Sequence, residues 1–249
     1  MDSSWNRAII IGGSSGIGEA IARELAAQGC RVGLVARRYD RLQKIADELN
    51  VESANIVQVY ENDVTKPSEA EPLFAQIVRD LDGVDLVVYA AGVMPKIDPT
   101  EYDTEKDKAI LDTNLVGAIA WLNAAAKRFE RAQAGTIIGI SSPSGDRGRR
   151  GNPAYGASKA GLDAYLESLR NRLGNHHVSV VTVKPGPVRT PMTERLGAVH
   201  GSISPERAAQ LILRGARRFG RTFYVPGKWW LASRILRMIP SPIFRRLKV

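Results

Sequence analysis

The stretch Ala8-Ile9-Ile10-Ile11-Gly12-Gly13-Ser14-Ser15-Gly16-Ile17-Gly18 decides how the rest of the chain is read. Its first four residues are apolar throughout, as a strand covered on both faces must be. Its end merges into Gly16–Gln28, where Ile17, Ala20, Ile21, Glu24 and Leu25 recur at helical spacing. Between the two lies a turn whose glycines let the backbone bend tightly and approach a pyrophosphate at the helix N-terminus. A plain Gly/Ser turn has the same composition; the place directly after the first strand gives this one its weight.

The same alternation runs outward along the chain. Apolar, β-branched runs at Ala8–Ile11, Arg31–Ala36, Ile56–Tyr60, Leu86–Ala90, Thr136–Ser141, Ser179–Lys184 and Thr222–Val225 predict seven strands. Helices are predicted over Gly16–Gln28, Arg38–Asn50, Pro67–Asp82, Asp103–Arg131, Ala154–Leu173 and Pro205–Phe219. Strands alternating with helices imply an α/β fold, a Rossmann-type doubly wound parallel sheet with helices on both faces. No linker, repeat or low-complexity tract divides residues 1–226, read as one dinucleotide-binding domain; residues 227–249 read as a basic amphipathic tail. Loops Val93–Thr100, Pro143–Pro153 and Gly186–Ser204 follow the fourth, fifth and sixth strands. Ligands in such sheets bind beyond the carboxyl ends of the strands, so these loops are expected around the site.

Composition narrows the class. The 249 residues are 44% apolar and 24% charged, enough for a sizeable core. The net charge of +9 is uneven: residues 207–249 hold eleven Lys and Arg and no acid, which leaves residues 1–206 at −2. Nucleic-acid binding, which wants a basic stripe on the main fold, is therefore not expected. One cysteine, Cys30, permits no internal disulfide and fits a reducing, cytoplasmic compartment. The opening MDSSWNRAIII lacks the pattern of a secretory signal, and no uncharged apolar run is long enough for a spanning helix. No His, Cys and carboxylate grouping suggests a metal; His176, His177 and His200 read as loop residues.

The end of the second strand normally reads the adenosine ribose. An acid there suits a free 2′-hydroxyl and a base suits a 2′-phosphate. Here the chain has Val35-Ala36-Arg37-Arg38, which favours NADP(H), since guanidinium groups pair phosphate bidentately. The same arginines could instead start a solvated helix. Asp63, next to Val64, could accept from the adenine amino group or begin a turn, because Asp-Val-Thr-Lys-Pro is good turn chemistry. Farther along, Tyr155 and Lys159 lie four apart, one above the other on a helix face. A nearby ammonium and a positive nicotinium ring would both favour phenolate and draw the phenol toward the range where proton exchange is efficient. A surface Tyr and a surface Lys would give the same pair.

Taken together, the glycine turn, Asn114, Ser142 thirteen positions before Tyr155, the Tyr155/Lys159 pair, Pro185-Gly186 and Arg189-Thr190 resemble the short-chain dehydrogenase/reductase family over residues 7–226. The resemblance implies an NADP(H)-dependent oxidoreductase that moves hydride between nicotinamide and a carbonyl or secondary alcohol. In it Ser142 would hold the carbonyl oxygen, Tyr155 would exchange its proton, and Lys159 would hold the nicotinamide ribose and lower the Tyr155 pKa. Asn114 would position a water that links Lys159 to solvent. Val188 and Thr190 would meet the carboxamide, and Gly12, Ser14, Ser15, Gly16, Ile17, Gly18, Ala91 and Gly92 would line the cofactor. Dimer or tetramer formation across Asp103–Arg131 and Ala154–Leu173 is implied as well. A contrasting reading is an NADP-binding sensor or scaffold at a membrane surface that has lost catalysis.

Two departures stand out. The family usually has Thr where this chain has Ile11, and Asn-Asn-Ala-Gly where it has Tyr89-Ala90-Ala91-Gly92. Replacing both members of a polar pair can be nearly neutral, so an apolar contact between Ile11 and Tyr89/Ala90 is expected. In the tail, Lys228–Ile239 predicts a helix with Trp230, Leu231, Ile235, Leu236 and Ile239 apolar and Arg234 and Arg237 charged. Such a helix suits peripheral contact with an acidic membrane, or packing on the protein's own core or another subunit. It could also cover the cleft and favour a hydrophobic, lipid-like substrate.

Overall fold

In the computed structural model of the protein, residues 5–51, 56–98, 100–194 and 201–247 are described, Phe219 by its backbone alone. His200 and part of the loop after the sixth strand lie outside them. Strands β1 (Arg7–Ile11), β2 (Arg31–Ala36), β3 (Val57–Glu61), β4 (Leu86–Tyr89), β5 (Gly135–Ile140), β6 (Val178–Pro185) and β7 (Phe223–Val225) form one parallel sheet. Their order is β3-β2-β1-β4-β5-β6-β7. The chain leaves β1 toward one edge and returns at β4 toward the other, so the crevice between β1 and β4 is the topological switch point.

The sheet separates two apolar layers, and strand pleating sorts the residues between them. Ala8, Ile10, Leu34 and Val88 face helices α1 (Gly16–Ala26), α2 (Tyr39–Asn50) and α8 (Pro205–Phe219; the short α7 is Pro191–Glu194), through Ile21, Leu25, Leu42 and Ile212. Ile9, Ile11, Val87 and Tyr89 face α3 (Ala70–Asp80), α5 (Gly117–Ala132) and α6 (Pro153–Leu173), through Phe74, Trp121, Phe129 and Leu166. Burial on both faces explains the nearly unbroken apolar strands.

Most predicted boundaries shift by a residue or two, where element ends fray. The helix expected over Pro67–Asp82 begins as a 3-10 turn, Pro67–Glu69, before α3. The long helix expected over Asp103–Arg131 is α4 (Thr104–Leu111), a π-helical turn over Asp112–Val116, and α5. Asp103 caps α4 by accepting from the N–H groups of Glu105 and Lys106 at 3.0 Å each. By length and composition the 104–132 segment could cross a bilayer, yet its Trp121, Leu122, Ala125 and Phe129 are buried in the fold.

Ile11 and Tyr89 are register partners in β1 and β4, fully buried in the same layer, and the Ala90 N–H donates to the Ile11 carbonyl at 2.8 Å. The expected apolar pairing is therefore Ile11 with Tyr89, while Ala90 packs on the opposite layer. Tyr89 does one thing the sequence did not announce. Its hydroxyl donates to the Thr113 carbonyl at 2.6 Å, inside the π turn where the helical ladder is irregular. Tyr89→Phe strands that buried carbonyl, so we expect a loss of about 1–3 kcal/mol in urea unfolding at constant m-value; a loss below about 0.5 kcal/mol contradicts this account of Tyr89.

Candidate active site

A cavity of about 550 Å³ opens beyond the carboxyl ends of β1, β4, β5 and β6. That size and place suit a cofactor together with a small substrate. The turn after β1 supplies Gly12, Ser14, Ser15, Gly16 and Ile17, and the end of β2 supplies Arg37 and Arg38. Gly12 sits at φ +92°, where a side chain is strained, and a Cβ there would come within 2.4 Å of the Ala91 nitrogen. The turn can therefore lie against the end of β4 only as glycine. Gly18 is buried behind it, against the Gly12 carbonyl.

Arg38 folds back over this turn. Its Nη2 donates to the hydroxyls of Ser14 and Ser15, both at 2.8 Å. Burial, with repulsion from Arg41 and Arg37, lowers its pKa. Arg37 is more exposed and reaches Asp63 at 3.9 Å. Asp63 itself does not line the cavity: it accepts from the Thr65 N–H at 3.0 Å and the Thr65 hydroxyl at 2.9 Å. That is turn chemistry, one of its two expected roles. Val64 does line the cavity, and so does Asn62, which the sequence reading passed over. Asn62 is 4% exposed; its Nδ2 donates to Glu69 at 3.1 Å, and its Oδ1 is buried without a partner among the described residues. A buried amide oxygen left without a donor is costly, and a ligand amino group would satisfy it.

The catalytic end is assembled by β5, α6 and the π turn. Asn152 caps α6 by accepting from the Tyr155 N–H at 3.0 Å, which orients the first turn carrying Tyr155. The Ser142 hydroxyl shares the cavity wall with the Tyr155 phenol, near enough to lower its pKa, and accepts from the Ser144 N–H at 3.1 Å. Lys159 is buried; its Nζ donates to the Ile140 carbonyl at 2.9 Å and lies 5.8 Å from the centroid of the Tyr155 ring. Burial pushes the Lys159 ammonium down to about 8, with Asp163 opposing. Burial also raises the Tyr155 phenol, and the Ser142 contact pulls it back. The protein alone thus does not lower the Tyr155 pKa as the resemblance implied, because the ammonium is turned to a carbonyl and desolvation dominates.

Asn114 is fully buried and does not line the cavity. Its Oδ1 accepts from the Val93 N–H at 2.8 Å, and its Nδ2 donates to the Val93 carbonyl at 3.0 Å and the Ser158 hydroxyl at 3.1 Å. Both amide protons are thereby engaged, so its side chain ties the segment after β4 to α6. Ala91 and Gly92 line the cavity from that segment, and Pro185, Gly186, Val188 and Thr190 line it from the end of β6. Among the described residues no cluster of His, Cys and carboxylates could hold a metal.

The tail also reaches the site. Helix α9 (Lys228–Met238) follows β7 and sets the Trp229 ring into the cavity wall, over Gly186. A Cβ on Gly186 would fall 2.1 Å from the indole nitrogen, so this seat needs glycine. On the same helix Ser233 donates to Asp146, which also binds Tyr224 at 3.0 Å and the buried Lys184 ammonium; Lys184 reaches Asp163 at 2.8 Å. Arg147 donates to the Leu236 and Ile239 carbonyls at the end of α9 and stacks 3.9 Å over Phe244, in the short helix α10 (Ser241–Phe244). Packing on the protein's own core is thus one role of the tail. The sequence left membrane contact and core packing open for this helix; the fold turns Trp229 inward while Trp230 stays 52% exposed.

The chain is similar to known proteins over nearly its whole length. The family model described as short chain dehydrogenase matches residues 6–200. An uncharacterized oxidoreductase of Myxococcus xanthus is 32% identical over 99% of each chain. Another, from Streptomyces coelicolor, is 37% identical over 97% of this chain and 95% of its own. A short-chain type dehydrogenase/reductase from Mycobacterium marinum superposes with a TM-score of 0.80 at 28% identity, covering 88% of this chain and 93% of that one. An actinorhodin polyketide ketoreductase variant with NADPH also gives 0.80, at 26% identity over 89% and 96%. With a glycine turn at the switch point and a Ser–Tyr–Lys set facing it, this oxidoreductase chain belongs to the short-chain dehydrogenase family.

Proposed function

We propose that the protein is an NADP(H)-dependent carbonyl reductase, acting on a ketone that carries a substantial apolar part. The observation that carries this reading is the Ser142–Tyr155 hydroxyl pair beside the buried Lys159, at the cleft that holds the glycine turn. When bound, the reduced nicotinamide supplies the hydride that adds to the carbonyl carbon. Ser142 donates to the carbonyl oxygen and stabilises the charge that develops there. Tyr155 gives that oxygen its proton; running the reaction backward, it takes the proton from an alcohol. Lys159 would turn from the Ile140 carbonyl toward the nicotinamide ribose, where its charge stabilises the phenolate that Tyr155 becomes on giving up its proton; solvent then returns a proton to Tyr155. Asn114 is a positioning residue that fixes the 91–93 segment. A sensor or scaffold has no use for a phenol in this contact, which favours the catalyst.

The cofactor fits the residues present. Ser14, Ser15 and Arg38, with Arg37 beside them, make a cationic seat for a 2′-phosphate. Asn62 Oδ1 takes the adenine amino group, in place of Asp63. Val188 and Thr190 take the carboxamide. As in the resemblance, α4, α5 and α6 serve a homodimer or homotetramer. The outward face of α9 exposes Trp230, Leu231, Ile235 and Met238 beside Arg234 and Arg237, which suits the surface of an acidic bilayer in the cytoplasm.

Tyr155→Phe is expected to lower kcat for ketone reduction by roughly 10²–10⁴-fold while NADPH still binds. Reduction by the native enzyme should decline as pH rises through about 8, where Lys159 loses its charge; an unaltered rate in the variant removes the acid/base role. Native enzyme should prefer NADPH to NADH, and Arg37→Ala/Arg38→Ala should cut kcat/KM for NADPH on the order of 10–100-fold with little change for NADH; equal use of both cofactors by the native chain contradicts the 2′-phosphate seat. Vesicles of acidic phospholipid, not of phosphatidylcholine alone, should sediment the protein, and Trp230→Ser/Ile235→Ser should release it. Binding to neither kind of vesicle, or equal binding to both, ends the membrane reading.

A further inference from the structure

The cavity lining is one-sided in charge. Arg37, Arg38, Lys159 and Arg149 line it, and among the described residues no Asp or Glu does. The first two sit at the adenosine end and Lys159 at the reaction centre, so three of the four cations have a use. Arg149 does not. It lies in the loop that carries Ser142 and shares the lining with Ser144 and Tyr155, which places it at the substrate end.

Three arginines stand in that loop, and the structure separates them. Arg147 is turned to the tail carbonyls and Phe244. Arg150 is exposed. Arg149 is half-buried, and its hydrogen bond to the Pro143 carbonyl is a long one, 3.4 Å. No carboxylate of the described residues lies within ion-pair distance of it. The nearest acid in sequence, Asp146, is already engaged by Lys184, Tyr224 and Ser233. Removing a guanidinium from water without a paired anion is unfavourable, and burial accordingly lowers its pKa, with the Asp146 carboxylate opposing from beyond ion-pair distance. The cavity walls near it are apolar: Met94, Met192, Pro187 and Trp229.

We propose that Arg149 is the recognition point for a carboxylate on the substrate, so that the substrates are keto acids whose apolar chain lies against Trp229, Met94 and Met192. This rests on the reductase reading given above and adds to it the class of substrate. The carboxylate supplies the anion that the protein withholds, and the tail contributes the wall through Trp229. A charged hydrogen-bonded pair of this kind discriminates by roughly 10–100-fold against an uncharged analogue.

The test uses medium-chain oxo acids, with the keto group at successive positions, and the methyl ester of each. Two readouts are taken on the full chain: kcat/KM with NADPH, and calorimetric affinity in the presence of NADP⁺. At the best position the acid should exceed its ester at least tenfold in both. Arg149→Gln should bring that ratio close to one through loss on the acid, and Arg149→Lys should restore much of it. Acids that bind in preference to esters but are not reduced would uphold the recognition and defeat the reductase reading. Esters equal to acids in both readouts, no binding of any acid, or a ratio unaltered in Arg149→Gln would overturn the proposal.

Discussion

The hydrogen bond from the buried Lys159 ammonium to the Ile140 carbonyl joins helix α6 to the end of strand β5, and the active site depends on that junction. Lys159 and Tyr155 share one helix face, so fixing the lysine fixes the phenol. Ser142 leaves β5 two residues after Ile140, so the same junction sets the hydroxyl opposite the phenol. The π turn completes the frame: it points Asn114 at Val93 and Ser158, which links the end of β4 to α6. Two strand ends, the π turn and one helix are thereby locked around a single crevice.

Electrostatics gives the crevice its character. The body of the protein is nearly neutral, yet the cavity is lined by cations alone among the described residues. Inside a partly desolvated cleft a charge acts more strongly than on the surface. Arginines stand at both ends of it, and burial lowers the pKa of the Lys159 ammonium to about 8. Behind this layer, Lys184 is compensated by Asp146 and Asp163, and Asp146 binds the tail through Ser233. The C-terminal segment is therefore part of the catalytic unit on its inner face, whatever its outer face meets.

The fold was legible because burial on both faces writes itself into the strands as unbroken apolar runs, and because Gly12–Gly18 stands directly after the first of them. The pair at Tyr155 and Lys159 was legible from its helical spacing only together with Ser142, Asn114 and the glycine turn, since the spacing alone also fits two surface residues. What stayed hidden depends on facts that sequence spacing does not carry. Whether Asn62 or Asp63 faces the cavity turns on the pleat of one residue at the end of β3. In the π turn at Asp112–Val116 Tyr89 captures the Thr113 carbonyl, and a helical pattern looks the same with or without such a turn. Trp229 and Trp230 are neighbours of identical composition, and only the docking of α9 sends one inward. The expected fall of the Tyr155 pKa also failed in the protein alone, because distance and desolvation, not residue type, set it.

The central claim is that these side chains bring a nicotinamide C4 against a substrate carbonyl. The most direct measurement follows an isotope: NADPH deuterated at the transferred position of C4 is incubated with the protein and a ketone, and the alcohol is analysed by mass spectrometry and NMR. The account predicts one deuterium on the carbinol carbon. Cofactor that binds in the cleft while deuterium never reaches carbon, across ketones, aldehydes and keto acids, would contradict it.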